Sequence, residues 1–343
     1  MRRWFPVVVL AVALNAVVIG QVDPKLTTKA MFGRDDAWFA SDEGIAAVDN
    51  LISWQTESGG WPKGYKLDHP RGPNDKTQWS GVATFDNGAT HTELRLLARA
   101  YRVNRRANVL ESINRGIDFL FAAQYPNGGY PQRVPPPNTY AKHITFNDNA
   151  MTSVLGLLKD VAGSEDFAFV DAARRARALE AFERGIDCIL KCQVIVNGQR
   201  TGWCAQHHLQ TLEPVGGRSF ELASLSGGEG AGVVLLLMDS EDPSPEVRRA
   251  VEGAVEWFRQ VKIQPEPTPD NPHPAPQWAR FYEIGTNRPI FADRDGVKVY
   301  SLDEIDKERA SGYRWYGNWG ARVLERYEQW SAKYGRTSTT SPK

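Results

Sequence analysis

The sequence predicts an all-α fold, a toroid of repeated helical hairpins whose long functional loops form a cleft. A helix that ends in Gln, followed by a turn with Gly and an aromatic residue, occurs three times, and Gln55, Gln124 and Gln193 are spaced 69 residues apart. Apolar residues recur at helical spacing elsewhere in the chain, whereas strand-like alternation is scarce. A fixed period is typical of repeat architectures, and this one suits two helices and two loops per unit.

The repeat extends beyond the glutamine, because residues 115–118 (RGID) recur as residues 184–187 (RGID). Apolar periodicity predicts eight helices, over residues 43–55, 91–102, 107–123, 150–160, 171–193, 229–238, 246–262 and 319–331. The loops between them are rich in Gly, Pro, Asn and Asp, and the long ones cover residues 57–83, 126–146, 195–227 and 264–300. Loops of this length inside a compact domain are usually functional, so we expect them to line the cleft.

The N-terminal segment of the chain predicts an exported protein. Residues 1–20 begin with two arginines and continue as an apolar run to Gly20, which is typical of a signal peptide. A membrane anchor is the alternative, but Pro6, Asn15 and the short run fit poorly with the ~20 apolar residues that a span needs. We therefore expect secretion, either extracellular or periplasmic. Residues 21–40 are interpreted as an N-terminal connecting segment and residues 333–343 as a flexible tail.

Composition excludes several classes of function. The 343 residues carry 41 Lys and Arg against 41 Asp and Glu, and a near-neutral mixed surface argues against nucleic acid as a partner. The sequence contains no phosphate loop, dinucleotide fingerprint or zinc-protease motif. We expect a monomer without stable membrane insertion.

The three cysteines leave three interpretations open. Cys188, Cys192 and Cys204, with His207, resemble a zinc-ligand spacing. Cys188 and Cys192 also lie one helical turn apart, where Cys behaves as a small apolar residue. In an exported protein, Cys192 and Cys204 could instead form a disulfide across the turn that they flank.

Two acidic residues lie near the starts of predicted helices in successive units. Asp86 lies in TFDNG (84–88) and Asp148 in TFNDN (145–149). One interpretation is that Asp or Asn residues here cap the following helices. If instead these are equivalent places in a toroid, the two carboxylates converge in one cleft. Such a pair serves a calcium site, the acid and base of a glycosidase, or the acidic cluster of a terpene cyclase.

A second set of candidates is cationic. Arg218 lies in a glycine-containing loop, and Arg288, Arg294 and Arg309 lie in turn-rich stretches that follow it. Each arginine alone is most simply a surface or ion-pair residue, and Lys63 in GGWPK carries little weight by itself. Together, forked guanidinium groups beside a metal site suit a polyanion that bears carboxylates.

Eight stretches in order resemble family 10 polysaccharide lyases, which are pectate lyases. The resemblance spans about residue 40 to residue 330. It is carried by GGWPK (59–63), TFDNGAT (84–90), AAQYPNGGYPQ (122–132), ITFNDNAMT (144–152), WCAQH (203–207), GRSFELASLSGGE (217–229), RFYEIGTNRPIFADRDG (280–296) and SGYRWYGNW (311–319). The resemblance implies an (α/α)3 toroid over residues 41–332 and Ca²⁺-dependent β-elimination on polygalacturonate, which yields 4,5-unsaturated oligogalacturonides.

The resemblance also implies roles for individual residues. Asp86 and Asp148 match the acidic calcium positions, and Arg218 matches an arginine that acts as the base. Arg288 and Arg294 match a clamp for the substrate carboxylates, and Lys63 and Arg309 are further substrate-binding candidates. An arginine base must be desolvated and crowded by positive charge, which we expect from the calcium ion and from Arg288 and Arg294.

Three alternatives remain at the level of sequence. The Gln-Gly-aromatic repeat is also found in squalene-hopene-type cyclases, but their Asp-x-Asp-Asp cluster is missing. A toroidal glycoside hydrolase would use Asp86 and Asp148 as acid and base. A non-catalytic polysaccharide-binding protein would need only the groove and its aromatic residues.

Overall fold

The computed structural model describes residues 21–335, which form eleven α-helices. The signal-peptide prediction for residues 1–20 lies outside the described residues, as does the tail beyond residue 335. The helices are α1 Thr28–Phe32, α2 Asp36–Ala40, α3 Asp42–Ser53, α4 His91–Asn104, α5 Ala107–Ala123, α6 Ala150–Gly163, α7 Ala172–Cys192, α8 Glu229–Met238, α9 Pro245–Gln260, α10 Lys307–Ser311 and α11 Trp319–Tyr334. None of them is long and apolar enough to cross a membrane.

Three helical hairpins follow one another along the chain, α4–α5, α6–α7 and α8–α9. The first helices of the hairpins, α4, α6 and α8, pack against one another in sequence, and so do the second helices, α5, α7 and α9. Helix α11 packs against α8 and α9, and α3 packs against α4 and α5. The predicted all-α toroid of helical hairpins is confirmed. The first and last residues of each predicted helix lie within three residues of those observed.

The repeated glutamine forms the same joint in all three copies. The Nε2 atoms of Gln55, Gln124 and Gln193 each donate to a carbonyl in the turn that follows, at 2.7, 3.0 and 2.9 Å. Each Nε2 also donates to a carbonyl of the second helix of the next hairpin, at 2.9, 2.8 and 2.9 Å. These second helices, α5, α7 and α9, are the outer helices. A buried side chain that bridges two backbone carbonyls in this way fixes the turn to the neighbouring hairpin. The 69-residue spacing of these glutamines therefore reflects one packing contact that is repeated in each unit.

Glycine is required at this joint for reasons of space. Gly59 and Gly128 have φ of +101° and +90°, and a Cβ at either would lie within 2.4 Å of the carbonyl oxygen of Arg115 or Arg184. The turn thus packs directly on the backbone of the next outer helix, which only glycine permits. This contact explains why the RGID segment recurs with the same period as the glutamine.

Short antiparallel strands connect the loops at one end of the hairpins. Strand β1 (Ala83–Thr84) pairs with β2 (Arg133–Val134), which joins the first long loop to the second. Strand β3 (Ile144–Thr145) pairs with β6 (Gln206–His207), which joins the second to the third. The other strands are β4 Ile195–Val196, β5 Gln199–Arg200, β7 Pro214–Val215, β8 Leu225–Ser226, β9 Trp278–Ala279, β10 Phe281–Tyr282, β11 Phe291–Ala292, β12 Lys298–Val299 and β13 Tyr316–Gly317.

The cysteines are buried free thiols, so the disulfide interpretation is wrong. The zinc interpretation fails as well, because both ring nitrogens of His207 are used inside the protein. Its Nε2 accepts from the Cys204 amide at 3.0 Å, and its Nδ1 contacts the Leu212 carbonyl at 2.7 Å. Burial also lowers the pKa of His207 to about 4. This region is therefore part of the scaffold.

The terminal segments contain helices where they are described. Within residues 21–40, α1 and α2 both pack against α4, and α11 continues to Tyr334. The five-residue helices α1, α2 and α10 were not predicted, because an element of that length shows too few turns for apolar periodicity to register.

Candidate active site

The two candidate aspartates lie at the ends of the short strands that connect the loops. Asp86 begins the 3₁₀ turn Asp86–Gly88 after β1, and Asp148 lies in the turn Asn147–Asn149 after β3. These two turns pack against each other, and the negative charge of Asp86 raises the pKa of the Asp148 carboxyl group, so the two groups lie near each other. The predicted convergence of Asp86 and Asp148 in one cleft is therefore observed.

The positions of the two aspartates in their repeats are not equivalent, contrary to the sequence-based expectation. Asn87 and Asp148 both have left-handed backbones, with φ of 48° and 52°. Asp86 and Asn147, which precede them, are both buried. The true equivalents are thus Asp86 with Asn147 and Asn87 with Asp148, so the acid is displaced by one residue between units.

Neither aspartate caps a helix. Thr90 and Asn149 precede α4 and α6, and neither side chain forms a capping hydrogen bond. The capping interpretation of Asp86 and Asp148 is therefore wrong. Both carboxylates point instead to partners from other loops, which favours a role in the cleft.

Asp86 is held as a carboxylate by three donors. Lys63 Nζ lies 2.5 Å from Oδ2, Asn87 Nδ2 lies 2.9 Å from Oδ2, and Gln132 Nε2 lies 2.9 Å from Oδ1. Burial acts to raise the pKa of Asp86, but the hydrogen bond and charge of Lys63 outweigh it, and the net pKa is lowered. Lys63 therefore contacts the acid directly, which places this predicted substrate-binding residue inside the cleft.

Asp148 lies in the opposite electrostatic situation. Burial and the nearby charges of Asp86 and Glu229 raise its pKa to about 6, although Arg280 acts to lower it. Arg280 Nη2 lies 3.9 Å from Asp148 Oδ1 and 2.5 Å from Glu229 Oε1. A cavity of about 190 Å³ adjoins these three side chains, with Arg314 and Trp319 in its wall. Two carboxylates, Asp148 and Glu229, and two guanidinium groups, Arg280 and Arg314, therefore line this cavity.

Arg218 is paired with a buried carboxylate. Its Nη2 donates to Glu221 Oε1 at 2.5 Å, and its backbone amide donates to Glu221 Oε2 at 3.0 Å. Tyr313 OH also donates to Glu221 Oε1, at 2.8 Å. Desolvation acts to lower the pKa of Arg218, but Glu221 outweighs it and the pKa is raised. This pairing opposes the depressed pKa that an arginine base needs.

Three guanidinium groups lie around the ring of Tyr313. The Cζ atoms of Arg218, Arg280 and Arg309 lie 5.5, 4.8 and 5.4 Å from its centroid. Arg309 is buried and also lies over the ring of Phe220, at 4.6 Å, as Arg218 does at 4.7 Å. Of the predicted cationic residues, Arg218 and Arg309 lie in this cluster, and its third member, Arg280, was not predicted.

Arg288 and Arg294 are placed differently from the expectation that they crowd Arg218. Arg288 stacks on Tyr300, with Cζ 3.7 Å from the ring centroid, and Arg294 Nη1 lies 2.5 Å from Glu308 Oε2. Both are exposed, and within residues 21–335 neither forms a hydrogen bond or ion pair with Asp86, Asp148 or Arg218. The turn that carries Arg294 does lie beside the Arg218 loop, because a Cβ on Gly296 would be 3.2 Å from Ser219 O. Their role as a clamp stays a prediction.

Several residues of the cleft were not predicted as functional. Arg280 lies in the stretch RFYEIGTNRPIFADRDG, where the two later arginines were selected instead. Glu229 begins α8 after β8, so it occupies the third repeat's place beside Asp148. Glu221 and Tyr313 were visible only as parts of GRSFEL and SGYRW. Matching the starts of α4, α6 and α8 would have revealed Glu229.

The acidic pair suits a hard cation only in part. Carboxylate oxygens are the ligands that Ca²⁺ prefers, and a bound cation would oppose the burial and the neighbouring carboxylates that raise the pKa of Asp148. Among the described residues, however, no group of three or more His, Cys, Asp and Glu side chains is arranged to hold a metal. A calcium ion takes 6–8 oxygens, so the remaining ligands would have to come from substrate and water.

The α-helical toroid thus carries a cleft in which paired carboxylates lie near clustered arginines. The comparisons with known proteins give the class. A profile of the pectic acid lyase family matches residues 55–324. The chain belongs to this family of polysaccharide lyases, as the eight stretches predicted.

Two solved structures show the same fold. The family 10 polysaccharide lyase from Cellvibrio cellulosa is 32% identical, with a TM-score of 0.75, and the match covers 86% of this chain and 94% of that one. A mutant of that lyase in complex with trigalacturonic acid is also 32% identical, with a TM-score of 0.75 and coverage of 90% and 99%. A comparison with curated protein sequences gave no match.

Proposed function

We propose that this protein is an exported pectate lyase that cleaves polygalacturonate by calcium-dependent β-elimination and releases 4,5-unsaturated oligogalacturonides. The observation that carries the proposal is the cleft, in which Asp86 and Asp148 lie beside Arg280 and near the cluster around Tyr313. A mutant of the Cellvibrio enzyme that shares the fold forms a complex with trigalacturonic acid, which supports a uronate polymer as substrate.

The reaction breaks the C5–H and C4–O bonds of a uronate and forms a C4=C5 double bond, and the departing oxygen takes up a proton. Bound Ca²⁺ would withdraw charge from the substrate carboxylate and so acidify the C5 proton. Asp86 and Asp148 are the residues that would hold the ion. Arg280, which lies beside Asp148, is placed to bind the uronate carboxylate in a forked geometry and to stabilise the charge that develops on it.

Arg218 is the proposed base. Its side chain is 46% exposed, and Glu221, Tyr313 and Tyr140 lie near enough to interact with it electrostatically. In the resting state Glu221 stabilises the charged guanidinium, so Arg218 accepts a proton only after that pair is weakened. Positive charge beside the guanidinium, as from a calcium ion held by Asp86 and Asp148, would do this. Alkaline pH would favour the neutral form further.

The proposal is tested by following the ultraviolet absorbance of unsaturated uronides during incubation with polygalacturonate, with calcium or with a chelator. We expect absorbance to rise only with calcium. Arg218→Ala should abolish turnover while oligogalacturonate still binds. Reducing ends without unsaturated product would indicate a hydrolase that uses Asp86 and Asp148, and binding without either product would indicate a binding protein. Either result would overturn the proposal.

A further inference from the structure

Arg133 is a cation without a carboxylate partner beside the cleft. It lies in strand β2, directly after Gln132, whose side chain donates to Asp86. Within residues 21–335 it has no ion pair, and its hydrogen bond to Thr139 Oγ1 is long, at 3.4 Å. Its Nε is buried and has no acceptor. A buried donor without an acceptor costs free energy, and no carboxylate among the described residues offsets the charge of this guanidinium.

Trp79 fixes the position of this guanidinium. The Cζ of Arg133 lies 4.6 Å from the ring centroid of Trp79, and Lys63 Nζ lies 5.6 Å from the same ring. Lys63 is in turn bonded to Asp86. Trp79 has a left-handed backbone, with φ of 55°, which is unusual for a bulky residue. The ring therefore connects Arg133 to the acid pair through two cation–aromatic contacts.

The location of Arg133 places it in the same cleft as the proposed base. Arg133 pairs across the ladder with Thr84, two residues before Asp86. Tyr140, a half-buried phenol, lies within electrostatic range of Arg133, Arg218, Glu221 and Asp86 together. Arg218 is paired with Glu221 and Lys63 with Asp86, whereas Arg133 has no carboxylate partner among residues 21–335.

We propose that Arg133 binds the carboxylate of a uronate residue other than the one that reacts, and that Trp79 is the positioning residue for it. This subsite rests on the proposed function, because it assumes a chain of uronates in the cleft. A guanidinium presents paired donors that match a carboxylate, and no carboxylate among residues 21–335 uses those of Arg133. Arg133 thereby selects charged sugars over neutral or methyl-esterified ones at that position.

The expected effect is on binding. The contact to a non-reacting carboxylate is the same in the ground state and in the transition state, so its loss raises KM and leaves kcat nearly unchanged. A hydrogen bond to a charged group corresponds to a change in kcat/KM of about 10- to 100-fold. The loss should appear only with oligogalacturonates long enough to reach the subsite.

The experiment compares Arg133→Ala, Arg133→Lys and Arg177→Ala on oligogalacturonates of increasing length. Arg177 is the matched control, because its Cζ lies 4.5 Å from the Phe121 ring on the exposed side of α7. We expect wild type and Arg177→Ala to gain kcat/KM at one step of chain length, and Arg133→Ala to lack that gain. Arg133→Lys keeps the charge and should restore part of it. Thermal melting checks that each variant is folded.

Calorimetric titration in chelator gives a readout without turnover. Arg133→Ala should bind a long oligogalacturonate at least tenfold more weakly than Arg177→Ala does, with no difference for its methyl ester. Equal affinities, or a loss in kcat instead of KM, would overturn the subsite. Trp79→Phe should bind the long oligogalacturonate as wild type does, and Trp79→Ala should lose affinity by a smaller factor than Arg133→Ala. If Trp79→Ala binds as tightly as wild type, the positioning role is overturned. If wild type forms no unsaturated product at all, it is the proposed function that fails.

Discussion

Replacing Glu221 with Gln tests whether Arg218 accepts a proton in the reaction. Glu221 is the carboxylate that stabilises the charged form of Arg218, with Nη2 and Oε1 separated by 2.5 Å. The amide removes the negative charge and keeps one acceptor for Tyr313. Without the charge, the pKa of Arg218 should fall, because the protonated guanidinium loses its counterion.

The size of the fall follows from the geometry. Two unit charges about 4 Å apart interact by about 4 kcal/mol at an effective dielectric constant of 20. The Arg218 side chain is 46% exposed, so solvent screening reduces this value toward the ~1 kcal/mol of exposed pairs. We expect about 1–2 kcal/mol, which corresponds to about one pKa unit because each unit is 1.36 kcal/mol.

The assay is the pH dependence of kcat/KM, which reports the ionisation of the free enzyme. If Arg218 is the base, the profile of Glu221→Gln should move about one unit toward lower pH, with a rate up to about tenfold higher on the acidic side. Glu246→Gln is the control, since it removes the partner of Arg249 in a pair of the same spacing on α9. A profile that overlays wild type, or moves to higher pH, refutes the assignment of Arg218 as proton acceptor.

Three other predictions concern calcium, pH and the repeat. Because the pKa of Asp148 is raised to about 6, this carboxylate takes up a proton as pH falls through 6, and calcium affinity should weaken. Asp148→Asn should weaken calcium affinity at every pH. Equal affinities at pH 5 and pH 8 in a calcium titration would contradict the ligand role. Burial raises the pKa of Glu93 to about 7, above its unfolded value of about 4.3, so the protein should lose roughly 3 kcal/mol of unfolding free energy as pH rises from about 4 to about 7. Glu93→Gln keeps an acceptor for Tyr65 OH and should flatten that slope in urea unfolding, and a slope that persists would show that another group is responsible. Gln193→Ala removes two buried hydrogen bonds and should cost about 2–4 kcal/mol of unfolding free energy, against no change for the exposed Gln329→Ala; equal stabilities would mean that the joint contributes nothing.

The scaffold was more predictable than the site. Each long helix shows its apolar face in the local sequence, and the bridge made by Gln193 recurs because the same turn meets the same outer helix in every unit. The aspartates were found because they follow the recurrent Thr-Phe pair. Their equivalence was predicted wrongly, because a displacement of one residue does not change the composition of TFDN and TFND.

The sequence could not predict which arginine lies beside the acidic residues of the site. Arg280, Arg288 and Arg294 lie within one stretch of turn-rich chain, and nothing local distinguishes them. Strand β10 pairs with β8, and this pairing sets Arg280 beside Glu229 while Arg288 turns outward onto Tyr300. A ladder between residues so far apart in the chain depends on how the hairpins pack.

The sequence by itself determined the repeated helical hairpins, the family, and the acids and arginine that are candidates for its chemistry. Periodicity and the Gln-Gly joint are local, so they are written in consecutive residues. Only the tertiary structure decided which charges meet: Lys63 with Asp86, Glu221 with Arg218, and Arg280 with Asp148. Those contacts join different loops, and their energies depend on distances and burial that arise only when the hairpins pack together.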